Sequence, residues 1–394
     1  MILFLATFFT IYGSVHVYAL LKARTAFGLG WAGGSALALF MIAMTAAPFL
    51  IRILERHGYD LPARALSYAA YLWMVALFLF FCSSLVIDLL NLLPRLVGLM
   101  INMDLSPLQA RPKLHFFISL GLALAVSAYG YFDAKDIRTE RITIETTKLP
   151  KGMDRLTIAQ ISDVHLGLIV RCSRLDRILD AVKAAKPDLF VSTGDLVDAQ
   201  INHLPGLAER LRAINPRYGK FAITGNHEYY AGLDRALAFT KEAGFTLLRG
   251  TAVSSGAINV AGVDDPAGVQ MKIDKPASEK TLLSKLPKDK FTLFLKHQPR
   301  IDPEAAGLFD LQLSGHTHKG QIFPFTYLSA VTYPMNAGRY DLAKGSVLYV
   351  SRGSGTWGPP VRFLAPPEVT IIELVRKGGR VETPKVKGKR DKRR

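Results

Sequence analysis

Leu156-Thr-Ile-Ala-Gln-Ile-Ser-Asp-Val-His-Leu-Gly167 is the stretch whose reading decides the fold. Its apolar run reads as a buried strand, and it gives way to Asp163 and His165, two positions apart. In extended backbone, residues i and i+2 face the same way, so a carboxylate and an imidazole leave the strand end together. The pattern recurs further along the chain. Asp188-Leu-Phe-Val-Ser-Thr-Gly-Asp195 delivers an aspartate behind a glycine, and Phe221-Ala-Ile-Thr-Gly-Asn-His-Glu228 delivers Asn226 and His227. Thr292-Leu-Phe-Leu-Lys-His297 adds a histidine, and Leu311-Gln-Leu-Ser-Gly-His-Thr-His318 adds His316 and His318. Taken singly, a Gly-Asp or Asn-His at a strand end is an ordinary turn. Five such blocks, holding five of the chain's nine histidines, point to one shared site.

Between these blocks, helical patterns alternate with strands. Leu175, Ile178, Leu179 and Val182 recur at helical spacing until Lys186-Pro187 stops them, and Leu204 to Ile214 repeats the arrangement. Alternation of this kind argues an α/β sheet with its chemistry at the strand C-termini. After about Thr251 the strands come closer together, at Ala257–Val263, Phe291–Leu295, Leu311–Ser314, Ser346–Ser351 and Val369–Leu374. These predict a second sheet packed on the first. Upstream, the alternating Arg141-Ile-Thr-Ile-Glu-Thr reads as an edge strand.

Two aspartates, an asparagine and several imidazoles are too hard a donor set for iron–sulfur or copper–thiolate chemistry. They suit Mn²⁺, Fe²⁺ or Zn²⁺ better than Mg²⁺. Seven ligands exceed the needs of one ion; two ions sharing an aspartate would clamp a phosphate and stabilise a leaving oxygen.

In order and spacing, Asp163-Val-His165, Gly194-Asp195, Gly225-Asn-His-Glu228, His297 and Gly315-His-Thr-His318 resemble the five-block signature of the calcineurin-like metallophosphoesterases. Gly262-Val-Asp-Asp265, Tyr349-Val-Ser-Arg-Gly353 and Pro366-Pro-Glu368 extend the likeness, toward a membrane-attached bacterial branch similar to the transmembrane metallophosphoesterase-domain proteins. The resemblance covers about Arg155 to Leu374. It implies a four-layer sandwich of two mixed β-sheets flanked by helices, and two divalent metal ions. Asp163, His165, Asp195 and His318 would hold one ion; Asp195 as bridge, Asn226, His297 and His316 would hold the other. His227 would be the outer-sphere group that donates a proton to the leaving oxygen or steadies the phosphate. Glu228 reads as a helix-capping or supporting acid, and His203 as a surface histidine. Arg352 and Arg362 are weaker candidates for a second phosphate or a headgroup.

The resemblance does not reach the first 135 residues, where the excess behind the chain's high apolar content (49% hydrophobic) sits. Four apolar stretches, Met1–Leu21, Leu29–Ile51, Leu66–Ile87 and Leu114–Tyr131, each approach the ~20 residues that cross hydrocarbon. The first lacks a basic leader and is read as a retained helix rather than a signal peptide. Residues 1–135 are therefore expected to be a four-helix transmembrane region, 136–154 a connector with the edge strand, 155–376 the metallophosphoesterase domain, and 377–394 a basic tail. Lys22, Arg24, Arg95, Arg111 and Lys113 flank one side of the spans. Arg52, Arg56, Arg64, Lys135, Arg138, Arg141, Lys148 and Lys151 flank the other, which favours a cytoplasmic catalytic domain in a multi-pass inner or plasma membrane protein. Asp88 and Asn91 read as the point where the third span leaves hydrocarbon, and Leu93 to Leu108 as a stretch along the interface. His16, His57 and His115 match no motif and read as span residues.

About half of the formal charge of +17 belongs to the tail, where ten Lys or Arg between Arg376 and Arg394 face only Glu382 and Asp391. Such a run is a solvated end or a contact to anionic headgroups, and not a nucleic-acid site. Cys82 and Cys172 offer no disulfide framework and no cysteine metal site. The sequence thus points to a membrane-anchored hydrolase of a phosphodiester or pyrophosphate. Its expected partners are membrane lipids and a lipid-linked phosphate substrate. UDP-diacylglucosamine pyrophosphatase-type and phospholipid phosphodiesterase activities are the candidates that the resemblance suggests. A membrane-parked nucleotide phosphodiesterase and a non-catalytic sensor module are the rivals. The insert from Asp265 to Lys290 is too short to be an obvious lid.

Overall fold

A computed structural model describes residues 2–198 and 206–378. His203 and all but the first two residues of the expected basic tail lie outside the described residues. The N-terminal region is helical: α1 (Ile2–Phe27), α2 (Trp31–Arg56), α3 (Asp60–Ile101) and α4 (Pro112–Asp133). Among the described residues, α2, α3 and α4 are long and apolar enough to cross a membrane. The remaining expected span, α1, is an apolar 26-residue helix packed against all three. The third helix runs on beyond the expected span, through Pro94 to a left-handed Asn102. Residues 89–101 supply apolar side chains on every face, and a proline there removes only one hydrogen bond to the preceding turn. Several polar groups inside the bundle are paired. Asp88 accepts from Lys22 and from the Tyr18 hydroxyl (2.6 Å), the His115 ring meets Ser84 Oγ at 2.7 Å, and Trp73 donates to His16 Nε2 at 3.0 Å. Asp88 thus ties α1 to α3.

The remaining elements, in chain order, begin with β1 (Arg138–Thr146), β2 (Arg155–Ile161), α5 (Cys172–Ala185), β3 (Leu189–Ser192), α6 (Leu207–Arg212) and β4 (Lys220–Ala222). There follow α7 (Asn226–Ala231), α8 (Leu233–Glu242), β5 (Thr246–Leu247), β6 (Thr251–Ser255), β7 (Ile258–Gly262), α9 (Ala267–Gln270) and α10 (Glu279–Leu283). The chain closes with β8 (Phe291–Leu295), β9 (Leu311–Ser314), α11 (Phe325–Thr332), β10 (Gly338–Asp341), β11 (Val347–Val350) and β12 (Glu368–Arg376). They form two six-stranded sheets, ordered β1-β12-β2-β3-β4-β5 and β10-β11-β9-β8-β7-β6. Both are mixed: β12 runs antiparallel to β2 beside the parallel run β2 to β5, and β6 and β10 run antiparallel at the two edges of the second sheet.

Strand alternation builds the layers. Leu156 and Ile158 face the second sheet, meeting Leu293, Leu295, Leu311 and Leu313, while Ala159 and Ile161 face the helices with Leu175, Ile178, Leu179 and Val182 of α5. On the far side Phe294 turns outward to Leu283, Ala305 and Phe309. The result is helix, sheet, sheet, helix. One sequence reading needs correcting: Val369–Leu374 does not join the second sheet. As β12 it sits inside the first, between β1 and β2. Its residues are buried on both faces, and nothing local to an apolar strand says which sheet will take it. The edge-strand reading of Arg141–Thr146 agrees with β1.

Because Leu293 lies wholly between the sheets, Leu293→Ala is expected to destabilise the protein by about 2–5 kcal/mol. This would appear as a lowered thermal midpoint in detergent, with Lys288→Ala unchanged. An unaltered midpoint for Leu293→Ala would mean that the inter-sheet layer is not a principal source of stability.

Candidate metal centre

All five sequence blocks end at the same edge of the two sheets, and their side chains meet there. Ligand atoms of Asp163, His165 and His318 lie within 4.8 Å of one another, as do those of Asp195, His297 and His316, and those of His165, Asp195 and His227. The groups overlap at Asp195 and His165. His165 Nε2 is 3.0 Å from His318 Nε2, and His297 Nε2 is 3.3 Å from Asp195 Oδ2 and 3.2 Å from His316 Nδ1. Asn226 opens α7 with its Oδ1 buried and unpartnered.

The route by which these side chains converge differs from the strand-alternation argument. Asp163 and His165 lie past the end of β2, and both have left-handed backbone (φ 51° and 53°), as do Asp195, His316 and His318 (φ 50°, 71° and 49°). Each costs a non-glycine residue of order 1 kcal/mol or more, and such turns persist only where the surroundings dictate them. Here neighbouring loops do so. The amides of Asp163 and His165 donate to the carbonyls of Gly194 and Asp195, both at 3.0 Å, and the Gly355 amide donates to the Asp163 carbonyl at 3.0 Å. Glu228 completes the clamp: its carboxylate accepts from the amides of Gly225 (2.6 Å), Asp195 (3.0 Å) and Leu196 (2.8 Å). The capping and supporting reading of Glu228 thus matches its contacts.

Two glycines make room. A Cβ on Gly225 would stand 2.1 Å from Asp195 Oδ1, and one on Gly315 would stand 2.1 Å from Asp163 Oδ2.

The donor set fits divalent cations. His297 Nδ1 faces the Thr193 carbonyl at 2.7 Å and so must carry the ring proton. Its Nε2 faces a carboxylate and another imidazole; against burial, which lowers it, Asp195 raises the ring well above the usual histidine range, so the space between them calls for positive charge, a proton or a cation. The buried, unpartnered His165 Nδ1 and Asn226 Oδ1 are further donors of the same kind. Electrostatics agree. Burial alone would raise the Asp195 carboxyl, but His297 and His227 beside it hold it well below the usual range. Burial, opposed by His297 and reinforced by Asp195, pushes Asp163 up to about 6. Burial, then the charge of Arg362, holds His318 far below the histidine range and so unprotonated.

His227 stands at the edge of the cluster, its ring 4.5 Å from that of His165 in an edge-on arrangement. Its Nδ1 meets Asp198 Oδ1 at 3.0 Å, which leaves Nε2 as the free edge. Burial works against its protonation, but Asp195 and Asp198 outweigh it and bring the ring to about 9. Asp198 is a site residue the sequence reading missed, although it stands three positions after Asp195. Tyr333, whose hydroxyl lies 2.9 Å from His316 Nε2, is another, and no local pattern announces it.

Neither arginine candidate faces open space. Arg352 is paired with Glu368 at 2.7 Å and with Glu140. Arg362 is fully buried among main-chain carbonyls, with Nη2 2.9 Å from His318 Nδ1. They support the loops around the site and are not placed to bind a second phosphate.

Comparisons with known proteins agree with this geometry. Residues 156–320 match the family model for calcineurin-like phosphoesterase. An uncharacterised metallophosphoesterase of Aquifex aeolicus is 41% identical over 65% of this chain and 99% of its own length. One of Helicobacter pylori is 34% identical over 68% of this chain and 73% of its own. A transmembrane protein with metallophosphoesterase domain of Danio rerio is 31% identical over 65% of this chain and 62% of its own.

Since a methyl group at position 225 would collide with the Asp195 carboxylate, Gly225→Ala is expected to lower the bound divalent metal, measured by elemental analysis, by tenfold or more. The circular dichroism spectrum should be unchanged. Full metal retention would show that the Asp195 position is not critical.

Proposed function

The chain belongs to the calcineurin-like phosphoesterases, a family of metal-dependent phosphoester hydrolases, and from that premise we propose a membrane-anchored, two-metal enzyme acting on a lipid-linked phosphodiester or pyrophosphate. The observation that carries the reading is the pair of donor groups, one of Asp163, His165 and His318 and one of Asp195, His297 and His316, with His165 also within reach of Asp195. Asp163, His165, Asp195 and His318 would hold one ion, and Asp195, Asn226, His297 and His316 the other, with Mn²⁺, Fe²⁺ or Zn²⁺ matching the donors. Such a pair, when bound, supplies Lewis acidity toward phosphate oxygens and lowers the pKa of water.

The protein's own contributions follow from the contacts. Asp195 is placed by the His227 amide on Oδ1 at 2.8 Å, so the carboxylate cannot rotate away from the two histidine sets. Asp198 holds His227 by Nδ1 and thereby aims Nε2 outward, where it can deliver a proton to a departing oxygen. Trp357 stands beside it, its ring edge-on to that of His227 at 6.2 Å.

A lipid-linked substrate is supported by where the site lies. Leu168, in the loop after the first block, packs among Ala47 and Ile51 of α2 and Ala70 of α3. A UDP-diacylglucosamine-type pyrophosphate and a phospholipid diester both carry the required headgroup phosphate. The excess of Lys and Arg on the catalytic side of the helices supports a cytoplasmic location.

The test is hydrolysis of bis-para-nitrophenyl phosphate by detergent-solubilised protein with Mn²⁺. Asp195→Ala should abolish turnover, and chelation should do so reversibly. His227→Gln should lower turnover by about 10²–10⁴-fold with metal content unchanged. Equal activity in the Asp195→Ala protein would overturn the two-metal reading. Faster turnover of soluble nucleotides than of any lipid-linked phosphoester in mixed micelles would overturn the substrate class.

A further inference from the structure

Helix α11 leaves much of its apolar surface uncovered. Tyr327, Leu328 and Val331 are 69%, 59% and 80% exposed, and Phe325 is exposed beside them. No charged residue occurs between Lys319 and Arg339. An uncharged segment with this much exposed apolar surface is unusual on a water-facing domain.

The covered side of the segment shows what surrounds it. Phe325 packs edge-on against Phe78 of α3, with ring centroids 6.4 Å apart. Val361 and Ile322, from the loops flanking α11, share an apolar cluster with Met41, Val75 and Ala123 of the bundle. The Arg362 amide donates to the Gly130 carbonyl of α4 at 2.9 Å. Depth follows from helix geometry. Phe78 is ten residues from Asp88, which pairs with Lys22, and so about 15 Å along α3 from that charged pair. This is about half the ~30 Å thickness of bilayer hydrocarbon. The outward side chains of α11 therefore continue the lipid-facing surface of the spans.

We infer that α11 is inserted into the bilayer, with Tyr327, Leu328 and Val331 in contact with acyl chains, and that it forms the lipid-side wall of the metal centre. Tyr333, directly after the helix, reaches His316 Nε2, and the segment itself follows His318. A phosphate carried on a lipid would approach along this wall, its acyl chains remaining among their neighbours while the headgroup meets the metal ligands. Insertion rests on α2–α4 crossing a membrane; the approach route rests also on the lipid-linked substrate proposed above.

The experiment measures depth and not activity. In full-length protein carrying Cys82→Ala and Cys172→Ser, single cysteines are introduced as Leu328→Cys, Val331→Cys and, at the opposite end of the second sheet, Lys288→Cys. Each is labelled with an environment-sensitive nitrobenzoxadiazole dye and reconstituted into phosphatidylcholine nanodiscs, with and without acyl chains brominated at mid-length. The expected result is blue-shifted emission and at least twofold quenching at 328 and 331, with water-like, unquenched emission at 288. Water-like, unquenched emission at both 328 and 331 would overturn the insertion. Quenching at 328 and 331 in a protein that hydrolyses no lipid-linked phosphoester would uphold the insertion and overturn only the substrate class.

Discussion

A single carboxylate, that of Asp195, must face two sets of imidazoles at once, and much of the catalytic domain is arranged to keep it there. It is fixed through backbone as much as through side chains. The His227 amide pins one oxygen, Glu228 gathers the amides of the turn, and the absence of a side chain at Gly225 leaves the space it occupies. A buried carboxylate with such neighbours would be unfavourable in a domain with no cationic partner for it. Left-handed backbone at five of the candidate ligand positions is the local cost of that convergence. The strands supply the foundation, since β2, β3 and β4 run parallel and adjacent and deliver their loops to one edge.

What the sequence made legible was what each block carries within itself. An apolar run followed by Asp163 and His165, or by His316 and His318, states its chemistry in a dozen residues, and the convergence of the five blocks is the expected consequence of parallel strands. What it hid was everything set by partners far away along the chain. β12 reads as one more strand of the second sheet because its neighbours β1 and β2 lie more than two hundred residues earlier. Asp198 escaped notice because its role is defined by His227, and Tyr333 because a tyrosine after an uncharged stretch has no local signature. The left-handed turns were also invisible, since Asp and His, though enriched among non-glycine residues in that region, adopt it only where neighbouring loops hold them there. The continuation of α3 past Asp88 was not legible, because a charge that marks where a span leaves hydrocarbon does not mark where its helix ends.

The two halves of the molecule are not simply tethered. Arg362 donates its backbone amide to α4 and its guanidinium to the carbonyls that shape the site, and it meets His318 with the same guanidinium. Gly130 is the matching feature on the helix, because a Cβ there would stand 2.6 Å from Val361 and 2.7 Å from the Arg362 carbonyl. A small residue permits close approach of helix and loop, as it does between helices in a bilayer. The helices thereby contribute to where His318, a candidate metal ligand, stands.

The position of β12 has a consequence for biogenesis. Arg141 on β1 and Glu373 on β12 are in hydrogen-bonding range while 232 positions apart in the sequence. β1 emerges from the ribosome directly after α4, yet it has no strand to pair with until nearly the whole chain has been made. During that interval the helices can enter the bilayer while β1 remains an open edge beside the lipid surface, exposed to mispairing. Closure of the first sheet is thus among the last events of synthesis. A nascent chain stopped short of β12 would hold all of its candidate metal ligands and still lack the strand that joins them to the membrane-proximal half.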